Sequence, residues 1–201
     1  MSTRTNTLLL VLSAGFCDAI TFTKADELFS AHVTGNFILF AYDLVNAADF
    51  VTWVRLLTFP VFFAAVLVGG WIGGGRVPGT GGTRILRVEA GFLILGGLVV
   101  WLLPGAKFWV ALMVVFGMGL QNAFGKLYSK DIYAPTTMMT GNVTQAALNL
   151  LKRDSMGEGR DAVVLLGFLA GCFLGVVVGK YWGLQGILVP GIALLFVRNG
   201  D

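Results

Sequence analysis

The chain has 201 residues, 56% hydrophobic and only 12% charged, and its mean hydropathy is +0.81, whereas soluble domains carry roughly 25% charged residues. That composition excludes an ordinary soluble domain and calls for a lipid bilayer as solvent. The net charge of +3 comes from cations scattered singly between apolar runs, which excludes a nucleic-acid-binding stripe and leaves orientation in the bilayer as their use.

Eight apolar segments follow from periodicity and run length. The first, residues 7–23, begins after Arg4 with Leu8 to Leu12 and Ser13-Ala14-Gly15, imitating a secretory signal. Cleavage there would remove a leading helix whose counterpart sits in mid-chain, so a retained span is expected. It carries Asp18, and a carboxylate within a membrane helix costs about 2.5 to 3.5 kcal/mol on insertion scales, which makes it a functional candidate. Asp18 could bind a cation, hold a proton, or accept bonds from the segment around Asn36. Cys17 and Cys172 lie far apart inside apolar segments, a pattern that predicts buried thiols, no disulfide framework and no metal site.

The second segment, 31–45, contains Thr34-Gly35-Asn36. Its length falls short of the ~20 residues a helix needs to cross a hydrocarbon core, so a half-helix is expected. His32 precedes the triplet by two residues and is a candidate for a proton-linked role. The third, 54–74, carries Ala65, Gly69 and Gly73 at four-residue spacing, which lets helix backbones approach closely in lipid, within a protomer or between protomers. The stretch Gly73-Gly74-Gly75 and Gly79-Thr80-Gly81-Gly82 lacks the Gly-Lys-Ser/Thr ending of a phosphate loop and reads as a flexible connection. In the fourth segment, 84–103, Glu89 follows Arg84 and Arg87. There it is expected to reach water or pair with an arginine, with a proton-linked role as the alternative.

The fifth and sixth segments, 107–125 and 137–151, repeat the pattern. Gly15, Asp18 and Ala19 recur as Gly119, Asn122 and Ala123, and the triplet recurs as Thr140-Gly141-Asn142. The seventh, 161–181, repeats the small-residue ridge as Gly167, Gly171, Gly175 and Gly179, and the eighth covers 184–198. The triplet and two glycines of the third segment, Gly69 and Gly73, recur at a constant offset of 106 residues, so the chain is expected to be an internal duplication. Repeat one spans about 7–75, a linker and extra helix about 76–104, and repeat two about 105–198, all in one membrane domain of residues 1–201.

Cytoplasmic loops carry an excess of Lys and Arg. If all eight segments cross, seven of the 14 cations fall on each side; if the second and sixth are re-entrant, ten lie inside and four outside, the four being Lys24, Arg55, Lys107 and Lys180. The expected architecture is therefore an all-α polytopic membrane protein with six crossing helices and two re-entrant half-helices that start at Thr-Gly-Asn. Both termini are then cytoplasmic and the membrane is the plasma, or bacterial inner, membrane. The extra crossing by the fourth segment makes the two repeats inverted, an arrangement that places broken helices at the midplane around a polar site. Thr34 and Thr140 are suited to N-capping, Gly35 and Gly141 to close approach or unusual dihedrals, and Asn36 and Asn142 to hydrogen bonding in the first turn. Helix N-termini converging from both faces would favour an anion or a carbonyl-rich solute.

The ordered series Gly-x-x-Asp-Ala, a Phe-rich turn, Thr-Gly-Asn, a Gly-containing span, an Arg-rich link with Glu89, then Gly-x-x-Asn-Ala and a second Thr-Gly-Asn resembles the YoaK-like small integral membrane proteins, a family classed as a domain of unknown function. Val33 stands where the family pattern has Met. The resemblance covers nearly the whole chain and implies a polytopic membrane protein without naming a substrate, cofactor or mechanism.

The residues themselves point to a transporter or channel for a small polar or anionic solute. Its expected site comprises Asp18, Thr34, Gly35, Asn36, Asn122, Thr140, Gly141 and Asn142, with Asp18, His32 and Glu89 as proton-linked candidates. No cofactor, metal or catalytic residue is expected, since one His without a Ser/His or Cys/His constellation leaves little catalytic machinery. A non-transporting scaffold or partner-binding subunit is the alternative, and it requires dry, fully packed Thr-Gly-Asn starts. Lipid and the solute are the expected partners, together with a second copy in a homodimer.

Overall fold

A computed structural model of the protein describes residues 2–74, 80–130 and 132–197. Gly75, Arg76, Gly79 and Arg198, used above in the link and the charge count, lie outside them. The described residues contain eight α-helices and no strand: α1 (Thr3–Lys24), α2 (Val33–Asn46), α3 (Phe50–Gly73), α4 (Gly81–Leu102), α5 (Lys107–Leu127), α6 (Met139–Lys152), α7 (Ser155–Trp182) and α8 (Leu188–Leu194). Five helical runs are long and apolar enough to cross a membrane: Thr3–Lys24, Phe50–Gly73, Gly81–Leu102, Pro104–Leu127 and Ser155–Leu194. Exposed side chains such as Ile38, Trp71, Leu151 and Phe173 suit a surface solvated by lipid.

The eighth segment departs from the sequence expectation of a sixth crossing helix. Gly183 adopts φ 70°, which stops α7, and the chain continues as a 3-10 turn over Gly183–Ile187 and the seven-residue α8. Only a residue without a Cβ takes that backbone conformation readily. The turn and α8 pack on α1 and α4.

Helix starts follow local chemistry. The Ser2 side chain accepts from the Thr5 N–H at α1, Asp49 and Thr52 form a reciprocal capping box at α3, and Asp154 accepts from the Gly157 N–H at α7. The Asp49 carboxyl is held below its ordinary pKa by the Thr52 N–H.

The small-residue ridges set the packing. A Cβ added at Gly175 would lie 2.5 Å from the Phe16 carbonyl oxygen, and one at Gly69 would lie 2.5 Å from the Ala123 Cβ. Through such contacts α7 lies along α1 (Gly171 on Leu12, Gly175 on Phe16, Gly179 on Ile20) and α3 lies along α5 (Ala65 at Gly119, Gly69 at Ala123, Gly73 at Leu127). The residue numbers rise together in each pair, so the helices of each pair run parallel. The ridges therefore serve packing within the protomer.

Contacts at the ends fix the remaining directions. Lys107, at the start of α5, bonds both carboxylate oxygens of Asp26, just past the end of α1, at 2.9 Å. Tyr133, just past α5, donates its N–H to Thr7 near the start of α1 at 3.0 Å. Thus α5 runs antiparallel to α1. Arg4, Arg84, Arg87, Lys126, Lys130, Lys152, Arg153 and Arg160 belong to the end of the bundle where α1 starts, and Lys24, Arg55, Lys107 and Lys180 to the other.

Candidate functional site

Two polar clusters hold the connections that lead into α2 and α6. In the first, the chain leaves α1 through Asp26 and Glu27, both left-handed at φ 52° and 59°, a conformation that side chains other than Gly seldom adopt. Arg55 of α3 holds this turn by donating to the Asp26 carbonyl at 3.0 Å, and it pairs with Asp43 near the end of α2. The connection then passes back beside α1, where Asp18 is 6% exposed. Asp18 Oδ1 accepts from the N–H groups of Ser30 and Ala31 at 2.8 Å and of His32 at 3.4 Å. Its Oδ2 lies 2.6 Å from His32 Nδ1.

Asn36 completes the first cluster. Its Oδ1 accepts from the Phe29 N–H at 2.9 Å, while its Nδ2 donates to the Phe29 carbonyl at 2.8 Å and to Thr58 Oγ1 at 3.1 Å. Both faces of the Phe29 peptide are thus satisfied by one amide, as buried backbone requires. Asn36 is itself fully buried.

The second cluster keeps the frame with fewer bonds. Asn142 Nδ2 donates to the Pro135 carbonyl at 2.7 Å, at the position corresponding to Phe29. Pro135 has no N–H to offer in return. Asn122 Nδ2 donates to Thr137 Oγ1 at 2.8 Å, and Gln121 donates to Thr136 Oγ1 at 2.8 Å and to the Leu10 carbonyl at 2.9 Å. Asn149 donates to Asp161 at 2.7 Å.

Several expectations for these residues need correction. Thr34 and Thr140 do not cap their helices: α2 and α6 begin one residue earlier, at Val33 and Met139, and neither has a side-chain cap. The threonines sit exposed in the first turns. Gly35 and Gly141 have no positive φ, so unusual dihedrals are not their purpose. A Cβ at Gly35 would meet the Phe29 ring at 3.0 Å, whereas one at Gly141 would meet nothing within 4 Å. Close approach therefore explains the first glycine only. Glu89 neither reaches water nor pairs with arginine, for it is fully buried and both oxygens lack a partner. Arg87 and Arg84 stand two and five residues before it, spacings that do not share a helix face.

Asp18 and His32 open onto a cavity of about 350 Å³ whose other walls include Phe22, Phe29, Phe168 and Cys172. His32 also meets the Phe168 ring edge-on at 5.5 Å between centroids. The hydrogen bond that His32 donates to the Asp18 carboxylate raises the His32 pKa above its ordinary value, against the opposing effect of burial. With Nδ1 engaged by Asp18, Nε2 is the other ring nitrogen able to exchange a proton or hydrogen-bond. The sequence reading paired Asp18 with the triplet and did not anticipate Arg55, Asp43, Thr58, Gln121 or the cavity wall at Phe168 and Cys172.

A family model described as "Protein of unknown function (DUF1275)" matches residues 7–199. No curated protein and no solved structure matches the chain.

Proposed function

We propose, for a chain that belongs to the DUF1275 family, that it is a membrane transporter or channel for a small polar solute, bound where Asp18 and His32 face their cavity. That pairing carries the reading, because a buried carboxylate and an imidazole on the wall of a membrane-level cavity are the usual marks of a polar pathway. Within this reading the chain consists of inverted halves, α1–α3 and α5–α7. Support comes from the antiparallel leading helices and from the exchange of helix pairs, α1 with α7 for α5 with α3. Re-entry of α2 is supported by its bonds to α3: Asn36 meets Thr58 and Asp43 meets Arg55, so α2 returns toward the end of the bundle that α1 reached. Its 14 residues span about 21 Å, short of the ~30 Å hydrocarbon core. The surplus of cations where α1 starts favours the N-terminus in the cytoplasm; with five crossing runs and a short α8, the expected return of the C-terminus to that side has no support.

The geometry also narrows the solute. Asp18 already occupies the amides that an anion would use at the first start, so a neutral or cationic solute fits there better than an anion. A scaffold without transport is the second reading, favoured by the complete burial and internal satisfaction of Asn36.

Thiol labelling in sealed vesicles separates the two. With Cys17 replaced by Ser, a membrane-impermeant maleimide should label Cys172 through a hydrated cavity. Labelling by a lipid-soluble maleimide alone would place lipid in that cavity and support the scaffold. Single cysteines at Ala48 and Lys130, both exposed, should react from opposite sides of the membrane; same-side reaction would overturn the inverted arrangement.

A further inference from the structure

Glu89 belongs to neither cluster. It stands eight residues into α4, about 12 Å along the helix axis, and is fully buried with both carboxyl oxygens unpartnered. Its Cγ packs against α5, 3.6 Å from where a Cβ on Gly117 would be. Among the described residues no compensating charge faces it. From α1 the neighbour is Cys17, which lies in electrostatic range of both Glu89 and Asp18. The titratable groups of α5 are Lys107 and Lys126 at its ends, and Lys107 is bound to Asp26. Arg55, the only one in α3, is bound to Asp43. The 3-10 turn and α8 carry none, and Arg84 and Arg87 of α4 itself are exposed.

An ionised carboxylate so enclosed would lack every compensation that buried charges require. We infer that Glu89 is a proton-binding site within the membrane, a neutral acid that releases its proton only when α4 parts from α5 and α8, on which it packs, enough to admit water. This deepens the transport reading by naming a proton as coupling ion, and it can be tested without any solute.

The test uses the full chain in lipid vesicles. Infrared spectra at neutral pH should contain the carbonyl stretch of a protonated carboxylic acid, absent from Glu89→Gln. Identical spectra for the two would overturn the inference. In a Cys172→Ser background, labelling of the buried Cys17 should accelerate on alkalinisation by about tenfold more in the wild type than in Glu89→Gln, the factor one proton contributes per unit of pH. Equal acceleration in both would show that no opening is linked to Glu89. Either result stands whether or not Cys172 proves to be hydrated.

Discussion

The connections into α2 and α6 are built on one frame and filled with different chemistry. An offset of 106 carries Asn36 onto Asn142, Phe29 onto Pro135, Asp43 onto Asn149 and Arg55 onto Asp161, and in both halves the same positions touch. What changes is charge. The first connection is held by the Asp18 carboxylate and an Arg55–Asp43 ion pair, the second by the amides of Asn122, Gln121 and Asn149. His32 of the first becomes Met138 of the second. The frame alone thus needs neither an ion pair nor an imidazole, since Asn149 and Asp161 make the corresponding contact with one neutral partner, and the arginine and histidine of the first half are surplus to it.

That difference should show most in the ion pair. Arg55 and Asp43 have side chains 8% and 18% exposed, and removing one partner of a buried pair typically costs about 3 to 5 kcal/mol. Arg55→Leu should therefore lower the thermal midpoint in detergent more than Asp161→Leu, which removes one charge-assisted hydrogen bond of about 1.5 to 3 kcal/mol. Equal losses would mean that the two halves rest on their amides alike and that the charge adds nothing.

The correspondence was legible in the sequence to an uneven depth. Run lengths locate the first six helices to within four residues, because lipid demands long apolar segments and little else imitates them, but α7 starts six residues before the expected 161 and the expected crossing over 184–198 holds only the seven-residue α8. The four-residue ridges announce close helix approach, since only small residues permit it, but they do not name the partners, α1 for α7 and α5 for α3. The triplet misleads about its threonines: a helix start is chosen by the whole connection, and here Asn36 grips Phe29 from the second turn while His32 takes the capping position. Arg55 and Asp43 were readable in principle, as both obey the same offset, but their charged partners change type between halves and so escape a search for identical residues. The solitude of Glu89 was half readable. Its spacing from Arg84 and Arg87 argues against pairing, yet nothing in a linear sequence shows that the face of α4 that carries it is buried against α5.

A smaller effect follows from exchanging the leading carboxylate. Asp18→Asn makes the first half resemble the second and removes the charge from the bonds to Ser30, Ala31 and His32. Charge-assisted hydrogen bonds contribute about 1.5 to 3 kcal/mol, and a loss of that order in unfolding stability is expected. The reciprocal Asn122→Asp should destabilise too, because a carboxylate there would face the Thr137 hydroxyl without an imidazole. A stabilising Asn122→Asp would show that the second connection also has amides waiting for an anion, and would restore the anionic solute to consideration.

The smallest difference is confined to a pH window. Asp18 raises the folded-state pKa of His32 above the unfolded value of about 6.5. The folded state therefore binds the proton more tightly, and the stabilisation is fully present below that unfolded value and disappears as pH rises through the folded one. His32→Met, which copies the second half, should lower stability at acidic pH and leave it nearly unchanged at alkaline pH. Partial exposure of the His32 side chain, 33%, keeps the effect modest through solvent screening. Unfolding midpoints across this window check it, with Asp18→Asn/His32→Met as the control. If Asp18 is the partner, the pH-dependent part vanishes equally in His32→Met and in the double variant. If the slope survives in His32→Met, another group binds the proton and the two connections differ less in acid–base chemistry than their residues suggest.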